Sequence, residues 1–127
     1  MADLNIKIGT DICSVSRIRA SYERFGEKLF KRILTEAEEQ HVKSARHHMF
    51  ERLAGRFAAK EATVKALGTG WYGVGWKEVE IVRERSGKPT LKLHGRAQEV
   101  ASRQNLTKFE VSVSHEHEFA TATVIAH

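Results

Sequence analysis

The sequence predicts an α+β domain in which an antiparallel sheet packs against one long central helix. Three observations lead there. Residues 47–67 keep an apolar stripe at helical spacing through Leu53, Phe57, Val64 and Leu67. Two pairs of alternating segments, near residues 79–93 and 109–125, are each joined by a short polar connection, as hairpins are. Shorter helical stretches fall between them in mixed order, without the strict strand–helix alternation of a parallel sheet.

Residues 4–12 alternate, with Leu4, Ile6 and Ile8 on one side and Asn5 and Lys7 on the other, which predicts a first strand ending near Gly9, Thr10 and Asp11. Ser14 or Ser16 caps a short helix through Arg17, Ile18 and Tyr22. Thr35 and Glu38 have capping-box spacing, so a second helix starts after Thr35. The long helix of residues 47–67 comes next. Val79 and Ile81 alternate with Glu78 and Glu80. Ser86, Gly87, Lys88 and Pro89 then make a turn into a returning strand at residues 90–93. A short helix over residues 96–103 precedes a strand carrying Phe109, Val111 and Val113, and a last strand covers residues 119–125.

The chain has 127 residues with no repeat, no low-complexity linker and a single proline, so residues 1–127 are expected to form one domain. A composition of 41% hydrophobic and 29% charged residues excludes extensive disorder. The net charge of +5 favours anionic partners, whether nucleic acid, a phosphorylated cofactor or an acidic protein. Cys13 is the only cysteine, which excludes an internal disulfide and a zinc ribbon and fits a cytoplasmic location. No secretory pattern opens the sequence, and no apolar run reaches membrane-spanning length, so no membrane partner is expected.

The chemistry concentrates in residues 56–70, RFAAKEATVKALGTG. Glu61 and Lys65 are four apart and share a helix face, and Gly68, Thr69 and Gly70 close the helix in a tight turn. A carboxylate, an ammonium and such a turn suit a phosphate-bearing substrate held through a metal ion. By themselves the two charges also read as an intrahelical ion pair. Lys60 falls inside the apolar stripe, where it either finds a buried partner or snorkels to water. Asp11, at the end of the first strand, is either a helix cap or a metal ligand. If Asp11 and Glu61 meet, two carboxylates with open water positions suit magnesium beside a pyrophosphate. His115 follows an alternating strand and is better placed for function than His117; nothing nearby completes a zinc site. The aromatic loop of residues 71–76, WYGVGW, either fills a hydrophobic seam or contacts a partner. Walker, Rossmann and nucleophile-elbow motifs are absent.

Three segments resemble the holo-acyl-carrier-protein synthases, the short bacterial phosphopantetheinyl transferases. These are IGTDICSVSRI at residues 8–18, RFAAKEATVKALGTG at residues 56–70 and VSVSHEHEFATATVIA at residues 111–126, with Gly87, Lys88 and Pro89 matching as well. The resemblance implies the 4'-phosphopantetheinyl transferase-like fold. It also implies a reaction: the phosphopantetheine arm of coenzyme A passes to a serine of apo acyl carrier protein, and adenosine 3',5'-bisphosphate leaves, in support of fatty acid biosynthesis. By the same resemblance Asp11 and Glu61 bind Mg2+, and Lys65 and His115 lie beside the coenzyme A phosphates. Gly68, Thr69 and Gly70 line the adenosine end, Arg56 and Ser112 add further coenzyme contacts, and Arg17, Arg24 and Phe25 dock the acidic carrier. Asp11, Glu61 and Lys65 are the expected catalytic residues, with Glu61, directly or through a water, as proton acceptor. The family also implies a homotrimer with active sites between subunits, so that an oddity such as Lys60 would face a neighbour. Residues 44–48 hold Arg46, His47 and His48 where relatives often carry more lysine and arginine. The rival from another class is a basic nucleic-acid-binding module without catalysis, against which stands the lack of interleaved stacking aromatics.

Overall fold

The computed structural model describes residues 4–127. Strand β1 (Lys7–Ser14) leads into helix α1 (Val15–Phe25), α2 (Glu27–Ile33), α3 (Glu36–Lys43) and the long α4 (Met49–Leu67). A single 3-10 turn at Trp76–Glu78 opens the hairpin β2 (Val79–Arg83) and β3 (Pro89–Leu93). Helix α5 (Gly95–Arg103) and the hairpin β4 (Phe109–His115) and β5 (Phe119–Ala126) complete the chain. The strands make a three-stranded antiparallel sheet in the order β1-β5-β4 and a separate two-stranded sheet, β2-β3. The predicted α+β class and antiparallel pairing are borne out.

Helix α4 lies across the inner face of the three-stranded sheet, and its sequence explains why it lies so close. Ala54, Ala58, Ala59, Ala62 and Ala66 are all buried on it. Opposite them β1 carries Gly9, where any Cβ would run into the Ala62 carbonyl. The small residues on both sides let backbone approach backbone, and the contact brings Asp11, two residues on, to the flank of the helix. Ala120, Ala122, Val124 and Ala126 of β5 fill the rest of this layer, with Phe30, Leu34, Val42 and Leu53 beyond them.

Several local expectations need correction. Strand β1 starts later than predicted, at Lys7, and runs on to Ser14. Its isoleucines face away from α4: Ile8 and Ile12, like Ile6 just before the strand, are more than half exposed, with Phe119 and Ile125 beside them. The inner face is the one with small and polar residues, Gly9, Asp11 and Cys13. Asp11 is therefore not a helix cap; Ser14 caps α1, accepting from the Arg17 backbone N–H at 3.4 Å. Helix α2 was not anticipated, because Gly26 supplies no side-chain cap to announce it. Helix α4 begins at Met49, two residues after the expected start.

Lys60 does not snorkel, nor does it need a neighbouring subunit. Its Nζ is fully buried and donates to Glu38 Oε1 at 2.7 Å, the Val79 carbonyl at 2.6 Å and the Trp76 carbonyl at 3.0 Å. All three ammonium protons are satisfied. Burial still pulls the lysine below its ordinary pKa, with Glu38 opposing. Glu38 also accepts from the backbone N–H of Thr35, completing the predicted capping box, and from that of Ile81. One carboxylate thus ties α3, α4 and β2 together.

Candidate active site

The close packing of β1 on α4 assembles the first cluster. Lys65 Nζ donates to Asp11 Oδ1 and to the Thr10 carbonyl, each at 3.0 Å. The lysine is half exposed and the aspartate mostly covered. The expected intrahelical Glu61–Lys65 pair is replaced by this bridge to β1. Glu61 is partnered elsewhere: Oε1 accepts from the indole Nε1 of Trp71 at 3.1 Å.

Cys13 is the buried cysteine of the same strand as Asp11. Its thiol is pushed up to about 11, first by burial, then by Asp11 and, more weakly, Glu61, while Arg17 opposes. Among the described residues no group of three or more His, Cys, Asp or Glu side chains could hold a metal. Two carboxylates alone are a poor cage for zinc or calcium but fit magnesium, which keeps several waters and takes substrate phosphate oxygens as ligands.

Helix α4 ends as predicted. Gly68 adopts the left-handed conformation (φ 78°), and the Thr69 and Gly70 backbone N–H groups both turn back to the Val64 carbonyl. Gly68 and Gly70 are exposed at the same end of the helix as Lys65.

A second cluster forms on the other side of α4. Arg52, Arg56, Arg83 and His115 line one cleft together with Gly55, Ile81, Pro89 and Val113. At about 100° per residue, Arg56 lies 140–180° around the helix from Glu61 and Lys65. Within one chain the two clusters therefore stay on opposite flanks. Arg56 is almost wholly buried, and its Nε has no hydrogen-bond partner, the nearest carboxylate oxygen being Glu38 Oε2 at 4.0 Å. Burial lowers Arg56 to about 10, Glu38 opposing and Arg83 and Arg52 adding to the shift. A nearly buried guanidinium without a full set of acceptors, beside two more arginines, is suited to an anion. Ser112 does not join this group: it alternates with Val111 and Val113 and points to the outer face of the sheet.

Strand β4 ends at His115, so His117 lies beyond it and the two histidines do not share a strand face. His48 and His117 border a shallow cleft with His115, with His48 Nδ1 2.7 Å from Glu51 Oε2. The predicted docking residues are all on the surface of α1. Arg17 and Arg24 are exposed, and Phe25 is 51% exposed beneath the Arg24 guanidinium, 5.1 Å from its ring. Arg17 borders a groove with Ile12, Cys13 and Ser14. The residues that sequence reasoning missed are Trp71, as partner of Glu61, and Glu38, as partner of Lys60. The capping-box spacing marked Glu38 only for its local role.

Residues 7–124 match the 4'-phosphopantetheinyl transferase superfamily. The chain belongs to that family. A holo-[acyl-carrier-protein] synthase of Gloeobacter violaceus is 47% identical over 93% of this chain and 89% of its own length. That of Yersinia enterocolitica is 46% identical over 94% and 95%. Among solved structures, the Neisseria meningitidis holo-[acyl-carrier-protein] synthase superposes with a TM-score of 0.86 at 36% identity, covering 95% of this chain and 97% of that one. The Helicobacter pylori enzyme in complex with coenzyme A gives 0.83 at 30%, covering 94% and 99%. The phosphopantetheinyl transferase resemblance read from three motifs is thus borne out along the chain, and the nucleic-acid-binding alternative gains no support. No helix among the described residues is long and apolar enough to cross a membrane.

Proposed function

We propose that this phosphopantetheinyl transferase moves the 4'-phosphopantetheine arm of coenzyme A onto a serine of an apo acyl carrier protein, supporting fatty acid biosynthesis. The observation that carries the proposal is the Asp11–Lys65 bridge beside Glu61, in a chain so similar to holo-[acyl-carrier-protein] synthases. In the reaction the serine oxygen bonds to the phosphorus that bears the pantetheine arm. The bridging P–O bond breaks, its electron pair leaves with adenosine 3',5'-bisphosphate, and the serine proton goes to a base.

Lys65 meets the negative charge that builds on the phosphoryl oxygens. Two of its N–H groups are engaged by Thr10 and Asp11, and the third has no acceptor among the described residues. Glu61 serves as proton acceptor, directly or through water: Trp71 takes one of its oxygens and the other has no partner among the described residues. Asp11 and Glu61 would hold Mg2+, which when bound supplies Lewis-acid neutralisation of the pyrophosphate. Gly68, Thr69 and Gly70 receive the adenosine end. The Arg56 guanidinium, with His115 in the same cleft, receives a coenzyme phosphate. Ser112 is the weakest of these assignments to coenzyme A, since its side chain lies on the far face of the sheet.

Arg17, Arg24 and Phe25 dock the acidic carrier, and the surplus of positive charge steers it in at a rate that falls with salt. A homotrimer is supported by the apolar outer face of the sheet, where Ile6, Ile8, Ile12, Phe119 and Ile125 stand exposed in one chain. Subunit contact on that face would also unite clusters that one chain keeps apart. The reaction is placed in the cytoplasm, in keeping with a single reduced cysteine.

The test is to incubate the protein with magnesium, coenzyme A and apo acyl carrier protein and weigh the carrier by mass spectrometry. A gain of one phosphopantetheine is the expected result. No gain, where an established transferase modifies the same carrier, would overturn the proposal.

A further inference from the structure

The aromatic loop after Gly70 does more than fill a seam. Phe57, Trp76 and Trp71 form a continuous stack, with ring centroids 5.1 Å apart at 28° and then 3.7 Å apart at 22°. The stack begins and ends on α4. Phe57 supports its first ring, and one helical turn later Glu61 accepts the indole N–H of its last ring, at 3.1 Å. Tyr72 in the same loop is 91% exposed and takes no part.

The stack is anchored from behind as well. The Trp76 carbonyl accepts one of the three hydrogen bonds of buried Lys60, and the Val79 carbonyl accepts another. Trp71 also packs against the small cluster formed by Val64, Val74, Val79 and Ala97. Each indole is therefore packed on a neighbouring ring, and the Trp76 backbone is pinned by Lys60. An indole N–H is a donor only, so its fixed position fixes the acceptor oxygen too.

We propose that Trp71 is a positioning residue for Glu61. Its indole N–H takes Oε1 and thereby turns Oε2 toward the cation shared with Asp11. The proposal rests on reading Asp11 and Glu61 as the magnesium ligands. Hydrogen bonds that orient a ligating carboxylate typically change metal affinity by about tenfold to a hundredfold.

The test measures Mn2+ binding to the full chain with coenzyme A and no carrier, counting free Mn2+ by electron paramagnetic resonance, so that no turnover is involved. Trp71→Phe keeps an aromatic ring on Trp76 but has no donor. The expected result is Mn2+ binding weakened by about tenfold to a hundredfold, with kcat recovering once magnesium is saturating. Trp71→benzothienylalanine, which exchanges only the indole N–H for sulfur, is expected to behave like Trp71→Phe while leaving the fold and the stack intact. Trp76→Phe keeps the donor and is expected to weaken binding less. If Trp71→benzothienylalanine binds Mn2+ as the parent does while Glu61→Gln does not, the positioning role is overturned and the metal reading stands. If Glu61→Gln also binds Mn2+ as the parent does, the metal reading itself fails.

Discussion

Helix α4 carries two lysine–carboxylate pairs five residues apart, and they are built oppositely. Lys60–Glu38 has no exposed side-chain surface on either partner, and each group is saturated: three acceptors for the ammonium, and two backbone N–H groups beside the lysine for the carboxylate. Lys65–Asp11 leaves the lysine half exposed, with an N–H to spare among the described residues. A saturated buried pair has nothing left to offer a substrate and holds three elements together. An unsaturated pair at the surface adds little to stability and keeps its capacity for a ligand. Charge type and helix are the same; the number of unfilled hydrogen-bonding positions separates the structural pair from the one proposed to be catalytic.

Substitutions on the two sides should therefore separate turnover from stability. The largest effect belongs to the open side: Glu61→Gln is expected to lower kcat by about a thousandfold with an unchanged melting curve. Near-normal turnover in the mass-spectrometric assay would remove Glu61 from the mechanism. On the closed side, Lys60→Met strands the Glu38 carboxylate without its counter-ion. It should cost about 3–5 kcal/mol in denaturant unfolding, while the folded fraction keeps its affinity for coenzyme A. Lys65→Ala reverses that pattern: kcat/KM falls by about a hundredfold, and the melting temperature moves by no more than about 2 °C.

Two smaller effects sharpen the contrast. Arg17→Glu sits outside both pairs, on the helix proposed to face the carrier, and should raise KM for the carrier by about tenfold with kcat retained; an unchanged KM would refute the docking role. His41 tests burial without catalysis. Desolvation, with Arg56, Arg52 and Arg83 nearby, lowers it from 6.5 to about 4. On acidification the unfolded chain takes up this proton first. The group therefore costs nothing above pH 6.5 and removes stability progressively as pH falls from 6.5 to about 4. His41→Gln should flatten that limb of the melting-temperature profile.

Much of the fold was legible because periodicity is a local signal. The stripe through Leu53, Phe57, Val64 and Leu67 marked α4, and alternation marked both hairpins. In the first strand alternation gave the two faces but not which one is inward, and its isoleucines are the outward residues. Helix α2 had no capping residue to announce it. In the site, the end of α4 at Gly68 followed from glycine chemistry, whereas the partners of Lys60, Lys65 and Glu61 did not. Glu38, Asp11 and Trp71 reach them from 22, 54 and 10 residues away. Helical spacing suggested instead the nearer Glu61–Lys65 pair. Family resemblance named Asp11, Glu61 and Lys65, of which the structure joins Asp11 to Lys65, but it was silent on Trp71 as the partner of Glu61.

The central claim is that Asp11 and Glu61 share one divalent cation at the coenzyme pyrophosphate. The most direct test is a crystal grown with coenzyme A and Mn2+, read by anomalous diffraction. One peak within coordination distance of both carboxylates is the predicted result. A peak bound to neither, or the two side chains directed into separate regions with no ion in common, would contradict it.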